Sequence, residues 1–169
     1  MRLFIAQSIP KLIKNLILNL GVLGLLSCHS TPSSPLPPTL KNLGQKEIKL
    51  PSGKTLTTYL AISDEEQQQG LSGLKLADFP QDATMLFIFP ETGPRRFWMK
   101  DTYFNLDILF LDSDYKILAR DNDMPAYPGD KEPQFIPRTR TVEATYVLEI
   151  RADSPWSKEL KVGEKVKIK

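Results

Sequence analysis

The sequence predicts a mainly β fold, a compact β-sandwich or barrel with one or two short helices. Apolar residues recur with strand-like spacing in several short segments, and turn-forming residues separate those segments at close intervals. With 169 residues, 41% of them hydrophobic and 25% charged, the chain can bury the core of one domain. We therefore expect a single β domain over residues 45–169.

A hairpin and a short helix are predicted to open this domain. Residues 47–50 and 55–62 alternate between apolar and polar side chains, and proline, serine and glycine at 51–53 are a turn signal. Ser63 and Glu66 have the spacing of a capping box, which predicts a short helix that ends near residue 70.

The most apolar part of the chain follows this helix. All residues of 85–89 are apolar, which is typical of a strand buried on both faces. Beyond that strand, the alternation of apolar runs with proline and glycine predicts a turn at 90–94 and strands at 95–100 and 106–112.

The C-terminal part is predicted to contain strands and one long loop. Residues 121–140 include four prolines and show no clear period, and a loop of this length is often functional. Residues 141–151 have a strong strand pattern that places Val142, Ala144, Tyr146, Leu148 and Ile150 on one face. The other predicted elements are a strand at 115–120, a short turn at 154–160 and a last strand at 165–169.

The first 28 residues are predicted to be an export signal. Arg2, Lys11 and Lys14 supply a positive start, and the apolar run at 16–26 is shorter than the ~20 residues that span a membrane. The run ends at Cys28 in a context that resembles the lipobox of bacterial lipoproteins. We therefore predict that Cys28 is lipidated. An ordinary signal peptide with an incidental cysteine, or an uncleaved anchor, is the alternative.

Residues 29–44 are predicted to tether the domain to this anchor. They are rich in proline, serine and threonine, a composition that favours extended chain over a packed core. His29 rather than Asp follows Cys28, and the sorting rule of enterobacterial lipoproteins then predicts an outer-membrane protein that faces the periplasm. The expected partner is a membrane, reached through the lipid anchor.

The composition excludes several classes of site. Cys28 and His29 are the only cysteine and histidine, so the domain has no disulfide, no Cys/His zinc site and no Ser–His–Asp or Cys–His catalytic group. Removing the three basic residues of the leader lowers the basic count from 22 to 19, against 20 acidic residues. A general basic surface is therefore absent. We predict no cofactor and no nucleic-acid partner.

The candidate binding residues lie on the polar face of the predicted strand 95–100. Arg96, Trp98 and Lys100 share that face, and Asp107 can lie opposite Lys100 if the next strand folds back as a hairpin. An aromatic wall, a cation and a carboxylate could bind a sugar, a carboxylate or a peptide end. We favour the alternative, a structural ion pair, because such networks commonly resemble sites. The full candidate set is Arg96, Trp98, Lys100, Thr102, Asp107 and Glu149.

A calcium site is a weaker hypothesis. Asp112, Asp114, Asp121, Asp123 and Asp130 are close together in the sequence, and carboxylates suit Ca²⁺ in an exported protein. They lack the spacing of an EF-hand loop, and aspartate is a common turn residue. Turn formation is therefore the default interpretation of these residues, and we predict no metal.

Six motifs suggest a family for the folded part. They are QQGLSGL at 68–74, TMLFIFP at 84–90, FWMKDT at 97–102, LDILFLD at 106–112, YVLEI at 146–150 and KVGEKV at 161–166. Over about residues 57–168 the chain resembles the bacterial and archaeal family called domain of unknown function 192. The resemblance implies a compact, mostly β domain that is frequently secreted or membrane-attached, and it implies no established activity.

The chain departs from the usual pattern of that family at four positions. The family usually has Met where Ser72 stands, Gly where Thr84 stands, Asn where Asp101 stands and Pro where Asn105 stands.

These observations favour a lipid-anchored binding or accessory module of the cell envelope, with a small ligand such as a sugar, peptide or carboxylate. Two alternatives stay open: an envelope hydrolase that uses Lys100 and Asp107, and a purely structural envelope protein. No arrangement in the sequence places a nucleophile beside a base, so we rank catalysis below binding.

Overall fold

The computed structural model describes residues 38–129 and 135–169. The predicted leader with Cys28, residues 29–37 of the predicted tether and the candidate ligand Asp130 lie outside the described residues. Within them, no helix is long and apolar enough to cross a membrane.

The described residues form one sheet, curled into a half-barrel, which confirms the predicted mainly β class. Its strand order is β5-β4-β6-β3-β2-β1-β7; β2 and β3 are parallel and the other pairs antiparallel. The strands are β1 Gln45–Lys49, β2 Thr55–Ala61, β3 Ala83–Arg95, β4 Leu106–Leu111, β5 Ile117–Met124, β6 Val142–Arg151 and β7 Lys167–Ile168. The helices are α1 Pro38–Lys41 and α2 Asp64–Gln69, with 3-10 turns at Leu76–Asp78 and Ser157–Glu159.

The predicted hairpin and capping box are confirmed. β1 and β2 pair antiparallel around the turn at 51–53. The Ser63 hydroxyl accepts a hydrogen bond from the Glu66 backbone N–H at 3.2 Å, and the Glu66 carboxylate accepts one from the Ser63 N–H at 2.9 Å. Two N–H groups at the start of α2 are thus satisfied, which fixes where that helix begins.

The predicted turn at 90–94 and the predicted strand at 95–100 are wrong. β3 continues to Arg95, and an irregularity between Ile88 and Gly93 absorbs the extra residues before pairing with β6 resumes. Proline and glycine mark a bulge here, because the partner strand supplies hydrogen bonds on both sides of it. After Arg95 the chain leaves the sheet, and Trp98 pairs only through an isolated bridge to Arg138.

Two hydrophobic clusters cover the two faces of the sheet. The first packs beneath α2 and the segment 71–104 and includes Phe79, Phe87 and Phe110. The second packs against the C-terminal segment and includes Leu109, Leu148 and Leu160. β4 and the C-terminal half of β6 lie inside the sheet and are therefore buried on both faces.

Four further predictions need correction. Val142 and Ala144 pack with the first cluster, whereas Tyr146, Leu148 and Ile150 pack with the second, because the irregularity opposite β3 reverses the strand parity. β5 runs to Met124, so the irregular segment begins after that residue and not at 121. Leu40 is fully buried in the first cluster, so the folded unit extends on the N-terminal side of the predicted boundary at residue 45. The predicted last strand at 165–169 is reduced to β7.

Candidate functional site

Asp107 does not meet Lys100, contrary to the predicted cross-strand pair. Asp107 is in register with Ile150, so its side chain lies on the face of the second cluster. Lys100 follows Met99, which is buried in the first cluster on the opposite face. The prediction failed because residues 96–100 are not a strand, and the partners of β4 are β5 and β6.

Asp107 is instead the centre of a buried ion pair. The Asp107 carboxylate accepts hydrogen bonds from Arg120 Nη2 at 2.5 Å, from Ser157 Oγ at 2.5 Å and from the Asp123 N–H at 2.8 Å. Arg120 Nη1 also donates to the carbonyls of Ser157 at 2.8 Å and Leu160 at 3.0 Å. Asp107 is only 4% exposed. This network ties β4 to β5 and to the C-terminal segment, which is a structural role.

A depression of about 870 Å³ opens beside this ion pair. Asp107 and Arg120 line it together with Leu76, Phe104 and Lys158, among others. Because the hydrogen-bonding groups of the ion pair are already engaged with each other and with neighbouring backbone, they offer little to a ligand.

A second pocket, of about 400 Å³, contains two of the predicted residues. Trp98 is 45% exposed in its wall, and Lys100 Nζ lies 5.8 Å from the centroid of the Trp98 ring. We call this the outer pocket; its lining is Gln68, Gln69, Ser72, Gly73, Trp98, Lys100, Asp101 and Tyr103. An exposed indole beside an ammonium group provides a stacking surface and a positive charge.

Two hydrogen bonds hold the rim of the outer pocket. Ser72 Oγ donates to the Lys100 carbonyl at 2.8 Å, and the Gly73 N–H donates to the Asp101 carbonyl at 2.8 Å. Asp101 has a φ of 52°, a left-handed conformation that aspartate tolerates better than most residues. The segment after α2 is thereby fastened to the chain that carries Trp98 and Lys100.

A narrow crevice of about 30 Å³ adjoins the outer pocket and reaches Glu149. The crevice and the outer pocket share Gln68, Gln69, Ser72 and Trp98 as lining residues. The crevice walls also include Phe87, Phe97 and Thr102. Its volume is sufficient for a water-sized group.

Glu149 is the most unusual side chain of the site. It lies on β6 between Met85 of β3 and Ile108 of β4, so its carboxyl group enters the first hydrophobic cluster. It is 5% exposed, and it makes no hydrogen bond or ion pair within the described residues. Burial raises the pKa of Glu149 to about 8, because a charged carboxylate is poorly solvated there. At neutral pH the group is therefore mostly protonated.

The structure brings together Trp98, Lys100, Thr102 and Glu149 of the six predicted residues. Thr102 is buried in the crevice wall, and its hydroxyl donates to the Lys100 carbonyl at 3.3 Å. Arg96 lines neither space, and its Nε donates to the Thr139 carbonyl at 3.3 Å. Sequence reasoning missed Gln68, Gln69 and Tyr103, although the glutamines stand in the QQGLSGL motif.

The acidic residues proposed for calcium are separately engaged. Asp112 Oδ1 accepts from the N–H groups of residues 114 and 116, at 2.9 Å each, as a turn aspartate does. Asp121 pairs with Arg140 at 2.8 Å, and Asp123 accepts from the Asn105 amide at 2.8 Å. In residues 38–129 and 135–169, no group of three or more His, Cys, Asp or Glu side chains could hold a metal ion.

Crystal structures similar to this chain include those of two bacterial proteins. A proposed transcription regulator from Sinorhizobium meliloti 1021 shares 31% identity over 75% of this chain and 95% of that protein, with a TM-score of 0.59. A protein of unknown function from Novosphingobium aromaticivorans DSM 12444 shares 24% identity over 79% of this chain and 91% of that one, also with a TM-score of 0.59, and supports the fold alone. No curated protein matches the chain.

The profile of one protein family matches almost the whole described sheet. It covers residues 47–168, from β1 to β7, and includes Trp98, Lys100, Thr102 and Glu149. The family is described as "Uncharacterized ACR". The resemblance noted from the sequence motifs is therefore confirmed: this chain belongs to the DUF192 family.

Proposed function

We propose that this domain is a small-ligand-binding module whose ligand occupies the outer pocket and reaches Glu149. One observation carries the proposal: Glu149, which is 5% exposed and has no hydrogen-bond partner within the described residues, lines the crevice that adjoins the outer pocket. A buried polar group without a hydrogen bond costs roughly 1–3 kcal/mol. A ligand that satisfies this group recovers that free energy.

The outer pocket supports a polar ligand with a flat or extended apolar face. Trp98 offers a partly exposed ring, and the Gln68 and Gln69 side chains line the pocket beside it. Lys100 makes no ion pair within the described residues, so its ammonium group can donate hydrogen bonds to an anionic group of the ligand. Sugars, peptide ends and carboxylates all fit this description.

Trp98→Ala should weaken binding by tenfold or more, because the stacking surface is lost. The assay is thermal unfolding of the purified protein with N-acetylglucosamine, a muramyl dipeptide, alanine or acetate. A ligand at 100 times its Kd stabilises the folded state by about 2.7 kcal/mol. Leu118→Ala is the matched control, since Leu118 is 41% exposed on β5, away from the pocket.

The experiment separates binding from a purely structural role. A ligand that shifts the unfolding of the wild-type and Leu118→Ala proteins, and not of Trp98→Ala, supports the pocket. Unfolding curves that no probe shifts would overturn the proposal and favour the structural alternative. A hydrolase that uses Lys100 with Asp107 has no geometric support, because Asp107 pairs with Arg120 on the face of the second cluster, whereas Lys100 lines the outer pocket.

Transcription regulation, the activity named for the Sinorhizobium protein, is less well supported. The longer α-helix in residues 38–129 and 135–169 has six residues, less than two turns. Helix-turn-helix and related regulators read DNA with a longer recognition helix. The residue counts also leave the chain beyond the predicted leader near neutral.

We further propose that the module is exported and attached to a membrane through lipidated Cys28, the outer membrane being favoured by His29. The sequence features of the first 28 residues support this location. Cys28→Ala should abolish incorporation of labelled palmitate and release most of the protein from membranes, since the acyl chains supply the attachment. Cell fractionation with labelled palmitate measures both effects.

Ser33→Ala is the control for this anchor, because it changes the tether and leaves the cysteine in place. It should stay lipidated and sediment with membranes. A Cys28→Ala protein that remains in the membrane fraction would instead indicate an uncleaved apolar anchor.

A further inference from the structure

We infer that the ligand is a small molecule that carries both an ammonium and a carboxylate group, and that its ammonium group binds Glu149. This inference rests on the proposed binding function and names the ligand class. The carboxylate of the ligand would face Lys100 in the outer pocket, and its ammonium group would enter the crevice. Four observations on the crevice and the outer pocket support this orientation.

The walls of the crevice favour a cation. Phe87 and Phe97 contact each other edge to face, with ring centroids 4.7 Å apart, and Trp98 also lines the crevice. Aromatic rings attract ammonium groups through their quadrupole, and the attraction is stronger where water is excluded. Within this lining Glu149 is the one titratable side chain.

Two glutamines in the crevice lining, Gln67 and Gln69, can offer acceptors beside Glu149. The Gln67 amide N–H groups donate to the Ile88 carbonyl at 2.7 Å and the Ile62 carbonyl at 3.1 Å, and the Gln69 amide donates to the Ser72 carbonyl at 2.7 Å. Their oxygens are left to accept, as are those of an ionised Glu149. An ammonium group has three donors and no acceptor, so it matches this set.

The charges near Glu149 permit a cation at this position. Arg151, two residues further along β6, is paired with Asp153 at 2.6 Å and donates to the Phe79 carbonyl at 3.0 Å. Lys100 and Asp101 line the outer pocket rather than the crevice. The flanking strand residues, Met85 and Ile108, are apolar.

Lys100 supplies the opposite charge in the outer pocket, whose lining also includes Asp101. Lys100 is exposed and holds no carboxylate within the described residues, so a ligand carboxylate finds a cation next to Trp98. A molecule with an ammonium group at one end and a carboxylate at the other is therefore complementary to the crevice and the outer pocket together.

Binding of the ammonium group should release one proton. The protonated Glu149 loses its proton to solvent and becomes a carboxylate, while the ligand keeps its ammonium charge, so charge and protons balance. Because Glu149 has a raised pKa near 8, affinity should increase roughly tenfold per pH unit between pH 5 and 7 and level off above pH 8.

Isothermal titration at pH 7 tests the inference with glycine, β-alanine, 4-aminobutyrate and 6-aminohexanoate. Ethylammonium and acetate represent the two charges alone, and N-acetylglucosamine represents a neutral sugar. Titrations in phosphate and in Tris, which differ in ionisation enthalpy, count the released protons. We expect at least one amino acid to bind more tightly than either single-charge probe, with about one proton released.

Two variants locate the groups. Glu149→Gln should weaken the amino acid at least tenfold and abolish proton release, and its thermal unfolding shows whether it is folded. Lys100→Ala should weaken the amino acid and leave the binding of ethylammonium unchanged. Trp98→Ala should weaken binding without changing the proton count.

The outcomes separate this inference from the proposed function. If N-acetylglucosamine or acetate binds in a Trp98-dependent manner without proton release, the ammonium inference is wrong and the binding function stands. If amino acids bind equally well to Glu149→Gln and to the wild type, the inference is also wrong. If no probe binds, both proposals fail.

Discussion

Glu149→Gln is expected to make the protein more stable at pH 8.5 than the wild type, by about 2–4 kcal/mol in the free energy of unfolding. In the wild type, Glu149 ionises near its ordinary value of 4.5 when unfolded and only near pH 8 when folded. The folded state therefore holds a proton that the unfolded state has lost. Between these two values the wild type loses about 1.4 kcal/mol of stability per pH unit.

The sign of this effect follows from the raised pKa of an acid. Below pH 4.5 both states are protonated and Glu149 has no influence on the pH dependence; above pH 8 the full loss is present. Glutamine cannot ionise, so the variant escapes the loss, although its own unpaired amide costs on the order of 1 kcal/mol at every pH. The difference between variant and wild type should thus grow with pH.

Urea unfolding at pH 5 and pH 8.5 measures this difference. Glu143→Gln is the matched control, because Glu143 is exposed on the same strand, six residues earlier. Its difference from the wild type should stay within about 0.5 kcal/mol at both pH values. If the free energies of unfolding of the wild type and Glu149→Gln change equally between the two pH values, burial of Glu149 does not control the pH dependence of stability.

Asp107→Ala is expected to destabilise the protein by about 3–5 kcal/mol. The substitution leaves the Arg120 guanidinium, whose side chain is 15% exposed, without its carboxylate, and it removes the acceptor of the Ser157 hydroxyl and the Asp123 N–H. An uncompensated buried charge costs more than the intact pair contributes. Chemical denaturation at pH 7 measures the loss.

An exposed ion pair provides the control for Asp107. Asp114 and Lys165 lie 3.5 Å apart with side chains 75% and 62% exposed, so Asp114→Ala should change stability by less than about 1 kcal/mol. The double variant Asp107→Ala, Arg120→Met removes both charges and should be less destabilised than the sum of the single variants. An Asp107→Ala protein as stable as Asp114→Ala would overturn the structural role.

The two buried acids are expected to have different roles: Asp107 in stability and Glu149 in the proposed ligand binding. Asp107 is satisfied by three donors, so its substitution should change stability while the ligand affinity per folded molecule is unchanged. Glu149 has no protein donor, which makes the folded state sensitive to pH and to a ligand that supplies a partner. A domain that retains such a group loses stability at high pH, which is consistent with the proposed binding role.

The sequence by itself determined the elements that depend on local chemistry. The capping box of Ser63 and Glu66, the first hairpin and the buried strand β4 each follow from residue types at short spacing. The family also follows from motifs that can be read directly. The sequence also identified four unusual residues, but it did not determine how they are arranged in space. They are Trp98, Lys100, Thr102 and Glu149.

Only the tertiary structure decided which of these residues share a site. Residues 90–94 have the composition of a turn, yet pairing with β6 at Ile88 and again from Gly93 keeps the chain in one strand. Because of this difference, the predicted hairpin does not form and Asp107 does not contact Lys100. Asp107 pairs with Arg120 instead. The same sheet order buries Glu149 between two apolar strands, beneath a loop more than 40 residues away in sequence. Long-range pairing and burial set these contacts, and neither is encoded in residue spacing.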